Sequence, residues 1–195
     1  MNYPLSLSFK LLALASQISV TDARGNTLAY AKQKLLKLKE DVRIFSDQSQ
    51  TGEIYQIKAD RLIDFSARYT FYDSQTGRVI GAVKRRGMRS LWSAHYEIFD
   101  GEQIVMEIKE ENAWVKVLDA LVGEVPVVGM FTGYFLNPAY LVTRTNGAVV
   151  ARLQKQPAMF EGKFELSRQG EMSAEEETRV LMSVLQMVIL ERARG

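Results

Sequence analysis

The sequence predicts a mainly β fold: a closed antiparallel barrel of about twelve strands, built from β-hairpin repeats around a buried apolar C-terminal helix. Three observations predict it. A hairpin phrase, two β-rich runs joined by a turn that ends in glycine, recurs five times. The stretch 173–194 reads as a helix that is apolar over almost its whole circumference. Five hairpins supply ten strands, and residues 5–11 and 159–167 supply one each. A barrel of about eight strands is filled by its own side chains, whereas one of about eleven holds a helix along its axis. The strand count and the helix therefore require each other.

A chain of 195 residues fits one domain over 1–195 with room for a substantial core. The absence of cysteine removes disulfides, thiolate metal sites, cysteine nucleophiles and palmitoylation together. A net charge of +2 is far below the concentrated positive field of a dedicated nucleic-acid binder, so no nucleic-acid partner is expected. In the opening MNYPLSLSFKLLALAS, Lys10 leaves too short an apolar run for a signal peptide. A cytoplasmic protein, peripheral at a membrane if it meets one, is the expectation.

In chain order, the first hairpin is ISVTDARGNTLAYAKQK at 18–34. The phrase returns as VRIFSDQSQTGEIYQIKAD at 42–60, YTFYDSQTGRVIGAVKRR at 69–86, YEIFDGEQIVMEIKEE at 96–111 and YLVTRTNGAVVARLQKQ at 140–156. Gly25, Gly52, Gly77 and Gly101 stand 27, 25 and 24 residues apart, which marks an internal repeat. Glycine is expected at these positions, and at Gly147, because the turn needs φ > 0, while an Asp before it bonds the turn backbone. Period-two alternation sets Ile104, Met106 and Ile108 on one face and Glu107 and Lys109 on the other. In the last strand Gly162, Phe164 and Leu166 alternate with Lys163, Glu165 and Ser167 in the same way.

Residues 112–138 interrupt the repeat as an insertion in the barrel part of the chain, 1–168. Trp114, Val117, Leu118, Leu121 and Val122 recur at helical spacing and predict a short helix at 112–122. The run VPVVGMFTGYFLNP that follows is apolar but broken by Pro126, Gly129, Gly133 and Pro138, so it is no transmembrane span. Two readings stand: a cap over one mouth of the barrel, or an apolar contact for a membrane or protein partner through Val127, Val128, Met130, Phe131, Tyr134 and Phe135.

The C-terminal helix has a start written into it. Ser173 and Glu176 form a capping box, Glu175 to Glu177 suit the positive end of the helix dipole, and Arg192 and Arg194 suit the negative end. Between them Val180 to Leu190 leaves only Ser183 and Gln186 as a thin polar line. Eleven residues at ~1.5 Å rise span about 16 Å, half of a ~30 Å hydrocarbon core, so the burial they require comes from protein.

Two basic groups are candidate binding sites for an anionic phospholipid. Lys84, Arg85, Arg86 and Arg89 sit at the end of the third hairpin and in the loop that follows, and arginine grips phosphate with paired donors. Lys32, Lys34, Lys37 and Lys39 bracket leucines at the end of the first. The plainer reading is that strand ends carry lysine to discourage edge pairing. His95, without Cys or His companions, reads as structural, and Glu110, Glu111 and Glu175–Glu177 read as solvated ends and a helix start. No catalytic residue, metal or cofactor is expected, since no phosphate loop, dinucleotide fingerprint, EF-hand loop or metalloprotease motif is present.

The hairpin phrases YTFYDSQTGRVIGAVKRR and HYEIFDGEQIVMEIKEEN, their order, and the terminal VLMSVLQMVILE resemble the tubby C-terminal-like superfamily, with LURP-one-related proteins and phospholipid scramblases as the nearer relatives. The resemblance covers essentially the whole chain. It implies a twelve-stranded barrel around a central helix and a non-enzymatic binding role. Tubby domains bind phosphoinositides through basic residues, and scramblases are associated with lipid movement and calcium, but no binding motif of either matches here residue by residue. Lipid scrambling is not expected, because the chain has no cysteine-rich segment and only five residues, Glu191 to Gly195, follow the apolar part of the helix. The alternative function is a protein-interaction scaffold that uses the insertion at 124–138.

Overall fold

The computed structural model describes residues 1–10, 16–33, 41–60, 67–86, 95–111, 138–157 and 161–192. Among these lie twelve strands: β1 (Leu5–Lys10), β2 (Ser16–Thr21), β3 (Thr27–Gln33), β4 (Asp41–Phe45), β5 (Glu53–Ala59), β6 (Arg68–Asp73), β7 (Val79–Arg85), β8 (His95–Asp100), β9 (Gln103–Glu110), β10 (Ala139–Arg144), β11 (Val149–Gln156) and β12 (Glu161–Arg168). One helix, α1 (Ala174–Arg192), follows them. Each strand pairs antiparallel with its neighbours in sequence, and β1 pairs with β12, so the sheet closes into a barrel with no free edge. The helix expected at 112–122 and the rest of the insertion up to residue 137 lie outside the described residues.

The sequence repeat is also a structural repeat. In all five hairpins the register slips by one residue next to the turn, leaving Leu28, Ile54, Ile80, Val105 and Val150 without a cross-strand partner. A bulge adds twist and re-aims side chains. Here it brings an apolar residue just after each turn to the mouth of the barrel, where Ile80 and Val150 are buried and Leu28, Ile54 and Val105 partly so.

Two turn-proximal expectations are corrected. Ile104 does not join Met106 and Ile108 on the inner face: the β9 bulge turns it outward and leaves it 40% exposed. The φ > 0 geometry appears at Gly25, Gly77, Gly101 and Gly147, but in the longer turn between β4 and β5 it falls on Gln50 and not on Gly52. That turn is closed by Ser46 N donating to Gly52 O, with Asp47 accepting from Gln50 N inside it, so the left-handed residue sits two places earlier.

The helix enters the barrel from the turn side and is enclosed along its length. Val180, Leu181, Met182, Val184, Leu185, Met187, Val188 and Ile189 are all buried against inward residues such as Leu5, Ile44, Phe71, Ile98, Val142 and Leu153. The thin polar line stays dry: Ser183 donates back to the carbonyl of Arg179 at 2.8 Å, and Gln186 is fully buried. A buried amide without a partner costs about 1–3 kcal/mol, and Gln186 has no partner among the described residues.

The helix runs closest to β6, β7 and β8, and Gly81 permits this approach. A Cβ there would sit 2.6 Å from the carbonyl oxygen of Phe99 and 2.7 Å from Nε of Arg179. The ladder that β7 shares with β8 covers only Ala82 to Arg85. Arg179 fills in beyond it, donating from Nε to Ile80 O at 2.9 Å and pairing with Asp100 at 2.9 Å.

Candidate functional site

The two ends of the barrel differ in chemistry. At the end with the tight turns, the three acidic residues that open α1 each meet a cation from the wall: Glu175 with Arg78 at 2.8 Å, Glu176 with Arg144 at 2.9 Å, and Glu177 with Arg168 at 3.3 Å and the Met1 amino group at 2.8 Å. The capping box is formed in both directions, Glu176 N donating to Ser173 Oγ at 3.2 Å and Ser173 N to Glu176 Oε2 at 2.8 Å. Arg144, which stands where the other hairpins carry a turn Asp, is thereby explained as a clamp on the helix start. Nearby, burial and the Glu177 charge push the Tyr3 hydroxyl up to about 12. Replacing Ser173 by alanine should remove about 1 kcal/mol of stability, read as a lower urea midpoint with unchanged slope.

At the opposite end lie the strand termini Lys10, Gln33, Ala59, Arg85, Glu110 and Gln156 together with the last turn of α1. Arg85 and Tyr96 face inward here. Tyr96 donates to Glu191 at 2.5 Å, Arg85 Nε lies 3.9 Å from the same carboxylate, and the guanidinium sits 6.0 Å from the centre of the Tyr96 ring. A carboxylate is unfavourable at the negative end of a helix dipole, and Arg85 offsets it. Burial, with Glu110 and Glu191 adding to it, pushes the Tyr140 hydroxyl well above its usual value.

The sequence-predicted residues therefore separate. Lys84 and Arg86 face outward, as alternation along β7 requires. Arg85, between them, is 6% exposed and committed to the helix, so it is not available as a surface ligand. Lys32 lies on β3, its Nζ donating to Gln50 at 2.9 Å, and three strands separate it from Lys84 on β7, about 19 Å of wall in four steps of ~4.8 Å. The described members of the two basic groups do not meet. Arg89, Lys34, Lys37, Lys39, Val127, Val128, Met130, Phe131, Tyr134 and Phe135 lie outside the described residues.

The structure adds partners that sequence reading missed. On the outer wall Lys84, Glu97 and Glu107 share one row across β7, β8 and β9, and His95 and Lys109 share the next, nearer the rim, where Arg86 N donates to His95 O. Arg86 pairs with Glu97 at 3.5 Å, and Glu107 takes both Lys109 and His95, the latter at 3.3 Å. Directly opposed carboxylates repel, and these cations offset the Glu97–Glu107 contact. Among the described residues no group of three or more His, Asp or Glu side chains is arranged to hold a metal, and no helix is long and apolar enough to cross a membrane.

A twelve-stranded antiparallel barrel closed around its own C-terminal helix is the architecture of a tubby-like domain. The chain belongs to the LURP-one-related family, whose model matches residues 27–169, from β3 to the end of β12. A crystal structure of an Arabidopsis thaliana protein superposes with a TM-score of 0.49 at 14% identity, covering 95% of this chain and 91% of that one. None of the curated proteins matches this sequence.

Proposed function

We propose that the chain is a non-enzymatic binding module that meets anionic phospholipid, phosphoinositide included, at a cytoplasmic membrane surface through the end of the barrel opposite the tight turns. The observation that carries this reading is the placement of solvent-facing cations on the wall beside that end, with Arg86 exposed at the terminus of β7, while the interior is taken up by α1. Composition supports it. The segments joining the strand ends there read KLLKLKE at 34–40 and GMRSLWSA at 87–94, cations beside leucine, methionine and tryptophan, whereas the turns at the other end, DARGN and DSQTG, are polar. Cations interleaved with apolar residues suit an anionic bilayer interface.

The test is co-sedimentation with neutral and with phosphoinositide-containing vesicles, comparing wild type with the variant Lys84→Gln, Arg86→Gln, Arg89→Gln. At about 1 kcal/mol per cation near an anionic surface, affinity for the anionic vesicles should fall on the order of 100-fold, with Tm unchanged. Arg85 is left intact because it is buried and faces Glu191 inside the barrel. Equal binding of variant and wild type would refute the site, and no binding by either would move the reading to a protein partner at 124–138.

A further inference from the structure

The outer wall of β7–β9 carries an arrangement that neither basic run in the sequence describes. Arg86, one residue past the end of β7, lies beside His95 on β8 and Lys109 on β9, about 5 Å apart, next to the rim. The neighbouring row holds Glu97 and Glu107 with Lys84. What decides the character of this surface is which members reach solvent. The Arg86 side chain is 62% exposed over a Glu97 that is 15% exposed, and Lys109 is 55% exposed over a Glu107 that is 24% exposed. The carboxylates lie against the wall and the cations lie over them, so an approaching molecule meets positive charge.

We propose that Arg86, Lys109 and His95 form a binding row for a phosphate group, in which His95 sets how much of Lys109 is available to the ligand. This rests on the lipid reading above and names its recognition chemistry and regulation. Arg86 lies 3.5 Å from Glu97 through Nε while its side chain is 62% exposed, and a guanidinium reaching into solvent offers paired donors suited to phosphate. Glu107 is shared: Lys109 bonds it, while His95 Nε2 lies 3.3 Å away, buried and poorly aligned for a hydrogen bond. When His95 is protonated it claims Glu107 as an ion pair, and Lys109 turns to the ligand.

The groups facing His95 set the direction. Burial pushes the imidazole below its ordinary value, Glu107 opposes this, and Lys109 and Arg86 add to it, so at neutral pH the ring is uncharged. Among the described residues, Glu97 on the same strand and Lys84 across from Glu97 stand in the neighbouring row. With His95 neutral the five fixed charges, Lys84, Arg86, Lys109, Glu97 and Glu107, sum to one positive charge, and protonation makes it two. Binding of an anion screens Lys109 and Arg86 from His95, so by reciprocity the ligand raises the affinity of the ring for its proton. Binding therefore strengthens as pH falls through the His95 titration.

The experiment uses the full chain. Binding to phosphatidylserine vesicles, whose headgroup charge is constant over this range, is measured at pH 7.5 and 5.5 for wild type, His95→Gln, and Arg86→Gln with Lys109→Gln. In parallel the imidazole signal of the chain's single histidine is titrated by NMR with and without inorganic phosphate. About fivefold tighter vesicle binding at pH 5.5 is expected, from one added charge near the surface. His95→Gln should lose that difference between the two pH values, and the double variant should bind weakly at both. An upward shift of the histidine titration with inorganic phosphate says that the phosphate group alone is recognised; a shift with vesicles only says that the lipid headgroup is required. A pH effect that survives in His95→Gln, or a double variant that binds like wild type, overturns the row. A phosphate-induced shift without vesicle binding keeps the row and overturns the lipid reading, and absence of both overturns both.

Discussion

A chain ending at Ser173 is expected to show no cooperative melt. The segment it lacks supplies eight buried apolar side chains from Val180 to Ile189, packed in one core with the inner face of the barrel wall. At about 1.5–3 kcal/mol per buried aliphatic side chain their burial exceeds the ~5–15 kcal/mol net stability of an ordinary domain. Nothing in the wall replaces them, because the inward residues of all twelve strands lose their packing partner at once. The truncated chain should give a sloping thermal trace by circular dichroism and bind a hydrophobic dye at room temperature. A sigmoidal melt near that of the full chain would mean that the barrel stands without its helix.

Gly162→Ala is expected to destabilise the protein although alanine is ordinarily the better residue in a strand by about 0.5–1 kcal/mol. Gly162 pairs with Phe9 across β1 and β12, and the Phe9 ring lies over it, stacked on Phe164 with ring centres 6.1 Å apart. A Cβ on residue 162 would fall 1.9 Å from Phe9 Cζ and 2.2 Å from Cε2. The contact is with the far end of a ring that is buried and stacked on Phe164, so the methyl is accommodated only if the ring shifts within the core. Overpacking of this kind costs about 1–3 kcal/mol, roughly 2–12 °C in Tm for a chain of this size. The cause is separable by a double-mutant cycle. Phe9→Ala alone costs about 3–5 kcal/mol, and adding Gly162→Ala to it should cost nothing further, since the clash has gone. Additive losses would place the effect in the backbone of residue 162 and not in the ring above it.

Much of this fold was legible because its signals are local. The capping box at Ser173 and Glu176, the alternation along β12 and the spacing of the turn glycines predict strand and helix limits within about two residues of those observed. Closure followed from number, since about twelve strands need a filler and the chain contains one apolar helix. What escaped is what depends on register. The run Lys84, Arg85, Arg86 looks like a single basic cluster in sequence, yet continuing the β7 alternation from Val83 turns Arg85 inward to Glu191. The Arg86–His95–Lys109 row was hidden in a different way, because its members come from the end of β7 and from two further strands and become neighbours only once the β8–β9 register is set. Arg179 was invisible for the same reason: a lone arginine in an apolar helix finds its role only against the short β7–β8 ladder and Gly81.

Recognition on the outside of the barrel presupposes that α1 never leaves its inside. Hydrogen exchange of the α1 backbone amides tests this most directly. If the helix is a permanent filler, the amides of Val180 to Ile189 exchange only by global unfolding, and their protection equals the stability measured by urea. If they exchange much faster than amides in the middle of β6, β7 and β8, the helix opens while the wall stands, and the vacated interior becomes the place to look for a ligand.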